Sequence, residues 1–486
     1  MKPTQEQVEI LKAFEEDRVL KVNAVAGSGK STTLRLLAED NLRSSLYICF
    51  NKRNAEEAKE KFPDHVECRT THSLAFTEFG RPLLHKLNRP KGRYVNVAGT
   101  SSEIAKYFNI PSIDTAEPVK AITIASLVRT CVNRFETTAD ARIEHKHVPY
   151  MRMQELKKNR KDLDTKKLSN TVLKWAKRLW EERINPSSPV MAMHDTYLKL
   201  WQLSKPILDF QIIYLDESQD SNPTLLDVVK RQTHCKVVYV GDTYQSIYQF
   251  RGAINAMDTI VAPTKVLSKS FRYGQVIADV ATYIIKGAID VKGLESIDSV
   301  LGNVPNSGYT YLFRTNGALL EEAVHLTMKG LDVYCAIDSK GFLKKLESAE
   351  HLYKGEFSKV KHEDITPYSV WKDLLEDAKE DAELIRLAKI VMEGRTEEFT
   401  NALNSLSNKR SANIILTTAH KSKGCEWEHV KIADDFPFND KYEVCPLEGM
   451  CDAEINLLYV AVTRAINTLE LPEILRNSIQ ENVYGE

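Results

Sequence analysis

VLKVNAVAGSGKSTTLRLLAED, residues 19–40, runs from an apolar stretch through a loop with glycine at 27 and 29 into a helix-forming segment. The phosphate-binding loop pattern is G-x-x-x-x-G-K-[ST]. In it backbone N–H groups wrap the phosphates, the lysine reaches the β/γ oxygens and the hydroxyl ligates Mg²⁺. Gly29, Lys30 and Ser31 fit that pattern, while Ala24 stands where the first glycine is expected. The strand before the loop, the two glycines and the helix behind it supply the context the pattern needs. The bland alternative is a strand-to-helix turn that favours glycine.

Similar apolar runs recur at SSLYICF (44–50), FQIIYLDE (210–217) and KVVYVGD (236–242), with helical sequence between them. A second series, SGYTYLFR, LDVYCAI, NIILTTA and HVKIAD, begins after about residue 265. This rhythm predicts an α/β fold: two RecA-like parallel-sheet domains with functional loops at the carboxyl ends of the strands. Each carries a mostly helical insertion. The expected bounds are 1–78 with 206–264 for the first sheet domain and 79–205 for its Lys/Arg-rich insertion. The second sheet domain is expected at 265–345 with 409–486, and a reduced insertion at 346–408.

Composition narrows the function classes. The chain has 486 residues, with Lys+Arg 66 against Asp+Glu 67, so a nucleic-acid partner would have to be held by local surfaces and not by net charge. Eight cysteines with no C-x-x-C pair fit reduced thiols better than disulfides or a zinc site. The start MKPTQEQVEI has no apolar leader and no later window is long enough to span a bilayer, so a cytoplasmic, non-secreted protein is expected, nucleoid-associated or in a host cell if viral.

LDESQD (215–220) ends an apolar strand in paired carboxylates. Alone such a cluster is more often a solvated turn. With Lys30 on a neighbouring strand it becomes the acid pair of a phosphate-loop enzyme: Asp216 with Ser31 on the metal side, Glu217 to orient or deprotonate the attacking water.

AVAGSGKST, the tetrapeptide DESQ, GDTYQSIYQFRGA (241–253), TTAHKSKGCEWE (417–428) and EINLLYVAVTRA (454–465) occur in this order. Together they resemble the motif series of UvrD-like superfamily 1A DNA helicases. THSLA (71–75) and MHDTYLKLWQLSKP (193–206) resemble in particular the helicase core of the F-box DNA helicases. Ala24 is also the usual residue in that family's loop.

The resemblance implies ATP and Mg²⁺ as cofactors and assigns roles. Ala26, Gly27, Ser28, Gly29, Lys30, Ser31 and Thr32 would surround the phosphates. Gln7 would read the adenine edge, although Thr4 and Gln7 also read as a helix capping box. Phe271 would stack on adenine, with Arg272 on the γ-phosphate, Arg464 as arginine finger, Glu426 on the ribose and Gln245 as phosphate sensor. ATP would lie between the two sheet domains and close them.

In GDTYQSIYQFRGA, Asp242 and Gln245 would lie at the phosphates. Tyr248, Phe250 and Arg251 would form a base-stacking platform, a core position being the alternative for the rings. Phe50, Asn51, Lys52, Thr71, His72, Thr418 and His420 match further positions on the single-strand path, with His72 and His420 resting mainly on the resemblance. The expected partners are single-stranded DNA, single/double-strand junctions and strand-bound replication or recombination proteins. The expected function is an ATP-dependent helicase or translocase moving 3′ to 5′. A translocase that mainly strips proteins such as recombinase filaments from DNA is the second reading, and a non-motor nucleotide switch the third. The short 346–408 insertion and Asn456, where many relatives have arginine, depart from the family pattern. No F-box is evident, so ubiquitin-ligase attachment is not carried over.

Overall fold

The computed structural model describes residues 2–49, 51–87, 99–116, 118–247, 255–362, 364–366, 368, 370–378, 382–408, 412–439 and 445–485. The chain divides into two compact units. The first holds Met1–Asn23, Lys30–Thr243 and Tyr248–Val266; the second holds Ala24–Gly29, Tyr244–Ile247 and Leu267–Glu486.

The first sheet has six strands: β1 (Val19–Ala24), β2 (Ser45–Cys49), β3 (Val66–Thr70), β4 (Ile212–Leu215), β5 (Lys236–Gly241) and β6 (Thr264–Leu267). Their order is β3-β2-β4-β5-β1-β6. The pairs of β2 with β3 and β4, of β4 with β5 and of β1 with β5 are parallel. Every residue of β2 and β4 is buried, which is why both read as unbroken apolar runs. The register aligns Asn23 with Gly241 and Ile48 with Leu215, so the loops after β1, β2, β4 and β5 leave the same edge. The acid pair follows β4 and the glycine loop follows β1, but β5 lies between these strands, so they are not neighbours.

Helices α1 (Gln5–Glu16), α2 (Lys30–Glu39), α3 (Lys52–Lys61) and α4 (Thr71–Ala75) belong to this unit. A separate apolar core lies under the helices Ala121–Glu136 and Thr165–Ile184. It is built from Val128, Val132 and Phe135 on one and Leu168, Val172 and Ala176 on the other, at the three- and four-residue spacing of helix faces. The helix His194–Leu203 instead sends Tyr197, Leu198 and Trp201 into the core of the first sheet, alongside Ile213 and Leu215.

The second sheet comprises β7 (Val300–Leu301), β8 (Tyr309–Phe313), β9 (Val333–Cys335), β10 (Ile414–Thr418), β11 (Trp427–Ile432) and β12 (Ala465–Glu470), in the order β7-β12-β11-β8-β10-β9. The pairs of β10 with β8 and β9, of β11 with β8 and β12 and of β12 with β7 are parallel. The helices Ser339–Tyr353, Ala382–Met392 and Thr396–Asn404 bury Leu346, Leu387 and Phe399 together with Leu320 and Val324 of the helix Asn316–Met328. Two parallel sheets with helical additions are the expected α/β architecture. No described helix is long and apolar enough to cross a membrane.

All eight strands expected from apolar runs are present, and the described residues hold four more that were not expected. In β3 the burial alternates around the exposed Glu67, and β12 carries the half-buried Asn467 and the buried polar Thr468, so neither contains an unbroken apolar run.

Candidate nucleotide site and strand path

β1 ends at Ala24 and α2 starts at Lys30, leaving Val25–Gly29 as the connecting loop. Gly27 and Gly29 have φ of 75° and 80°, in the left-handed region that costs other residues about 1–2 kcal/mol. Gly27 has a second constraint: a Cβ there would lie 2.8 Å from Arg272 Cβ and 2.7 Å from Ser270 Oγ. Both faces of the Ala26 residue are held by tyrosines. Its N–H donates to the Tyr459 hydroxyl (3.1 Å), and the Tyr273 hydroxyl donates to its carbonyl (3.4 Å). Ser28 Oγ is buried without a hydrogen-bond partner among the described residues. Thr32 lies half-buried in the first turn of α2.

The acid pair lies against this helix start. Lys30 Nζ is 3.7 Å from Glu217 Oε1, with both side chains largely buried. The Ser31 hydroxyl donates to Asp216 Oδ2 at 3.4 Å, and the Tyr47 hydroxyl donates to the same oxygen at 2.5 Å. Asp216 is 4% exposed, and burial, with the Glu217 charge beside it, pushes its carboxyl above the ordinary range; the Tyr47 bond and Lys30 pull the other way. Glu217 adopts φ 50°, a left-handed backbone, and its N–H donates to Asp216 Oδ1 at 2.8 Å.

Gln219, also fully buried, joins this acid to the next strand. Its Nε2 donates to Glu217 Oε2 (2.5 Å), and its Oε1 accepts the Asp242 N–H (3.0 Å) at the end of β5. Gly241 makes room for that amide, since a Cβ there would lie 2.4 Å from Gln219 Oε1. A small cavity of about 40 Å³ connects Asp216 and Glu217 with Thr71 and His72.

Gln7 has its capping-box role: Thr4 N–H donates to its Oε1 and its N–H to Thr4 Oγ1. Its Nε2 donates to Thr33 on α2 at 3.0 Å.

In the second unit the Gln245 carbonyl accepts from Lys423 Nζ (2.7 Å), and the Ser246 carbonyl accepts from Asn456 Nδ2 (3.1 Å). Arg272 Nε donates to Glu426 at 2.7 Å, and its Nη1 to the Thr463 carbonyl at 3.1 Å. Phe271 is 39% exposed, with its N–H bonded to the Gly27 carbonyl. Arg464 differs from an open phosphate contact: it is 1% exposed and donates to the carbonyls of Val460 and Cys425 and to the Thr463 hydroxyl.

A helix headed by Lys30 and Ser31, with the lysine linked to an acid pair at the end of a parallel strand, is an arrangement that nucleotide hydrolases use. The UvrD/REP helicase N-terminal domain model matches residues 3–260, and the UvrD-like helicase C-terminal domain model matches 320–473. The chain belongs to the UvrD-like helicase family. The F-box DNA helicase protein 1 of Schizosaccharomyces pombe is 30% identical over 512 residues, covering 94% of this chain and 56% of that protein. The F-box DNA helicase 1 of Gallus gallus is 32% identical over 521 residues, covering 98% of this chain and 50% of that protein. The chain thus spans about half the length of these curated relatives.

Of the positions expected on this helicase family's strand path, Phe50, Tyr248, Phe250 and Arg251 lie outside the described residues. Asn51 caps α3 by accepting the Asn54 N–H (2.8 Å), and the exposed Lys52 pairs with Glu56 at 3.4 Å. Thr71 begins α4, and His72 lies 3.7 Å from Asp195, edge-on to His194 and Tyr197. Thr418 caps the short helix Ala419–Ser422, which carries the half-buried His420.

Sequence reasoning missed Tyr47, Gln219, Tyr273, Lys423 and Tyr459. Gln219 was inside a motif already singled out. Tyr47 is a tyrosine in a wholly buried strand, where the hydroxyl must find an acceptor, and that was the available signal.

Proposed function

We propose that this chain is an ATP-driven motor that moves 3′ to 5′ along single-stranded DNA and separates duplex ahead of it. The observation that carries the reading is the connected set Lys30–Glu217–Gln219–Asp242, in which the phosphate-loop lysine, the acid and the segment leading to Gln245 share direct contacts.

Lys30 and the loop N–H groups bind the β- and γ-phosphates of ATP. Gln7 and Phe271 hold the adenine and Glu426 the ribose. Ser31 and Asp216 fit a Mg²⁺ ion: their oxygens converge to 3.4 Å, and such ions take one or two protein oxygens and leave the remaining positions to phosphate and water. The ion would neutralise charge on the β- and γ-phosphate oxygens. Glu217, its carboxylate met by Lys30 and Gln219, orients a water and accepts its proton as the water oxygen attacks the γ-phosphorus and ADP leaves. Arg272 and Arg464 stabilise the transferring phosphoryl group, a function worth about 10³–10⁵ in rate for arginine fingers. Arg464 must exchange its carbonyl partners to do so.

Asn51, Lys52, Thr71, His72, Thr418 and His420, with Phe50 and the Tyr248–Phe250–Arg251 platform, grip the strand. The cavity shared by the acid pair with Thr71 and His72 supports direct coupling of strand grip to hydrolysis. Strand-separation assays on duplexes with a 3′ or a 5′ single-stranded tail test this. ATP-dependent displacement from the 3′-tailed substrate, lost in Lys30→Ala, is expected. Displacement from the 5′ tail alone would refute the polarity, and none from either, with ATP hydrolysed, would refute unwinding.

A further inference from the structure

We propose that Tyr47 is a positioning residue for the metal-side carboxylate, fixing Asp216 in the orientation that receives the divalent cation. The inference rests on the nucleotide-site reading above and extends it to a residue outside every motif considered.

Tyr47 lies at the centre of β2, paired with Cys68 on one side and Tyr214 on the other, and is 2% exposed. Its ring rests against Phe62, with centroids 4.8 Å apart. The hydroxyl is therefore delivered by a rigid element. At 2.5 Å from Asp216 Oδ2 it makes a charge-assisted bond of the short O–H···O⁻ type. The backbone of Asp216 is fixed from the same strand, because its N–H donates to the Ile48 carbonyl at 2.9 Å.

The two carboxylate oxygens are then held separately, Oδ1 by the Glu217 N–H and Oδ2 by Tyr47. Two bonds at opposite oxygens fix rotation about the Cβ–Cγ bond. Oδ2 receives both the Tyr47 and the Ser31 hydroxyls, so a cation held by Ser31 and Asp216 would take the lone-pair direction that the Ser31 O–H now fills while Tyr47 keeps the other. Without the phenol, one of these restraints is gone and the carboxylate can turn away from Ser31. Outer partners that orient metal ligands typically change metal affinity or activity by about 10–100-fold when removed.

The test is Mn²⁺ binding, followed by electron paramagnetic resonance of the free ion, to the full chain saturated with a non-hydrolysable ATP analogue. Wild type, Tyr47→Phe, Asp216→Asn and the double variant are compared, with thermal melting and steady-state kinetics alongside. Phenylalanine keeps the ring against Phe62, so the melting temperature should stay near that of wild type. Tyr47→Phe should weaken Mn²⁺ by about 10-fold and lower kcat with little change in KM for ATP. In the Asp216→Asn background it should have no further effect on Mn²⁺. Unchanged Mn²⁺ affinity in Tyr47→Phe, with Asp216→Asn weakened, would overturn the role of Tyr47 alone. Unchanged affinity in Asp216→Asn would overturn the metal-site reading and this proposal with it.

Discussion

Gln219 uses both ends of its amide, and that makes it the residue where the acid pair and the end of β5 become one unit. Gln219→Ala removes a donor from Glu217 and an acceptor from the Asp242 N–H. Losing a buried partner costs about 1–3 kcal/mol, so a fall in kcat of about 10–100-fold is expected, with KM for ATP little changed. Gln219→Glu restores the acceptor for Asp242 but faces Glu217 with a like charge, so it should melt later than the alanine variant and be no faster. Steady-state kinetics and melting curves on both variants decide; a kcat near wild type in Gln219→Ala would contradict the account. At this scale the sequence revealed residues whose chemistry follows from type and spacing, such as Lys30, Ser31 and the Asp216–Glu217 pair. It did not reveal residues that act through an approach in space. Tyr459 meets Ala26 from 433 positions away, and no spacing announces that.

Among elements, the joint between the helices Ala121–Glu136 and Thr165–Ile184 and the helix His194–Leu203 on the first sheet is polar and buried. Arg183 and Glu136 pair at 2.8 Å with 3% and 1% exposure, and the Thr196 hydroxyl donates to Glu136 at 2.6 Å. Breaking such a pair from one side strands a buried charge, so Arg183→Met should cost about 3–5 kcal/mol in denaturant unfolding, while the Glu136→Leu/Arg183→Met double variant should recover much of it. Two buried lysines complete the joint. Lys86 donates to the carbonyls of Glu182 and Asn185, and Lys199 to those of Thr138 and Asp140. Burial lowers both ammonium groups to about 8. Below that pH both folded and unfolded chains are protonated and the cost of burying the charge is fully present. It is relieved as pH rises through about 8 and is gone above the unfolded value of about 10.4, because the unfolded chain then binds more protons than the folded one across the window. Wild-type stability, measured against a Lys86→Met/Lys199→Met variant, should therefore rise between these pH values; a flat difference would show that the two amines do not titrate in the folded chain. The Lys/Arg richness of the helical insertion was legible in the sequence. That two of its flanking lysines are buried clamps was not, since lysine is almost never fully buried without partners.

At the scale of the whole molecule, the α/β class was legible because buried parallel strands write themselves as apolar runs ending in small or acidic residues, as at IIYL and KVVYVG. The edge strands β3 and β7 and the half-polar β12 escaped, because strands that are not covered on both faces carry no such signature. With 66 basic against 67 acidic side chains, the molecule has no global attraction for DNA, so strand binding must come from local contacts and weaken moderately with salt. Hydrolysis at Lys30 and Glu217 is expected to answer to a DNA strand. Steady-state ATP hydrolysis with Mg²⁺, with and without single-stranded DNA, on wild type, Lys30→Ala and Glu217→Gln decides it. Strong stimulation of the wild type by the strand, with both variants inactive in its presence, is the predicted result. Hydrolysis of equal rate with and without DNA, or activity that survives in either variant, would contradict it.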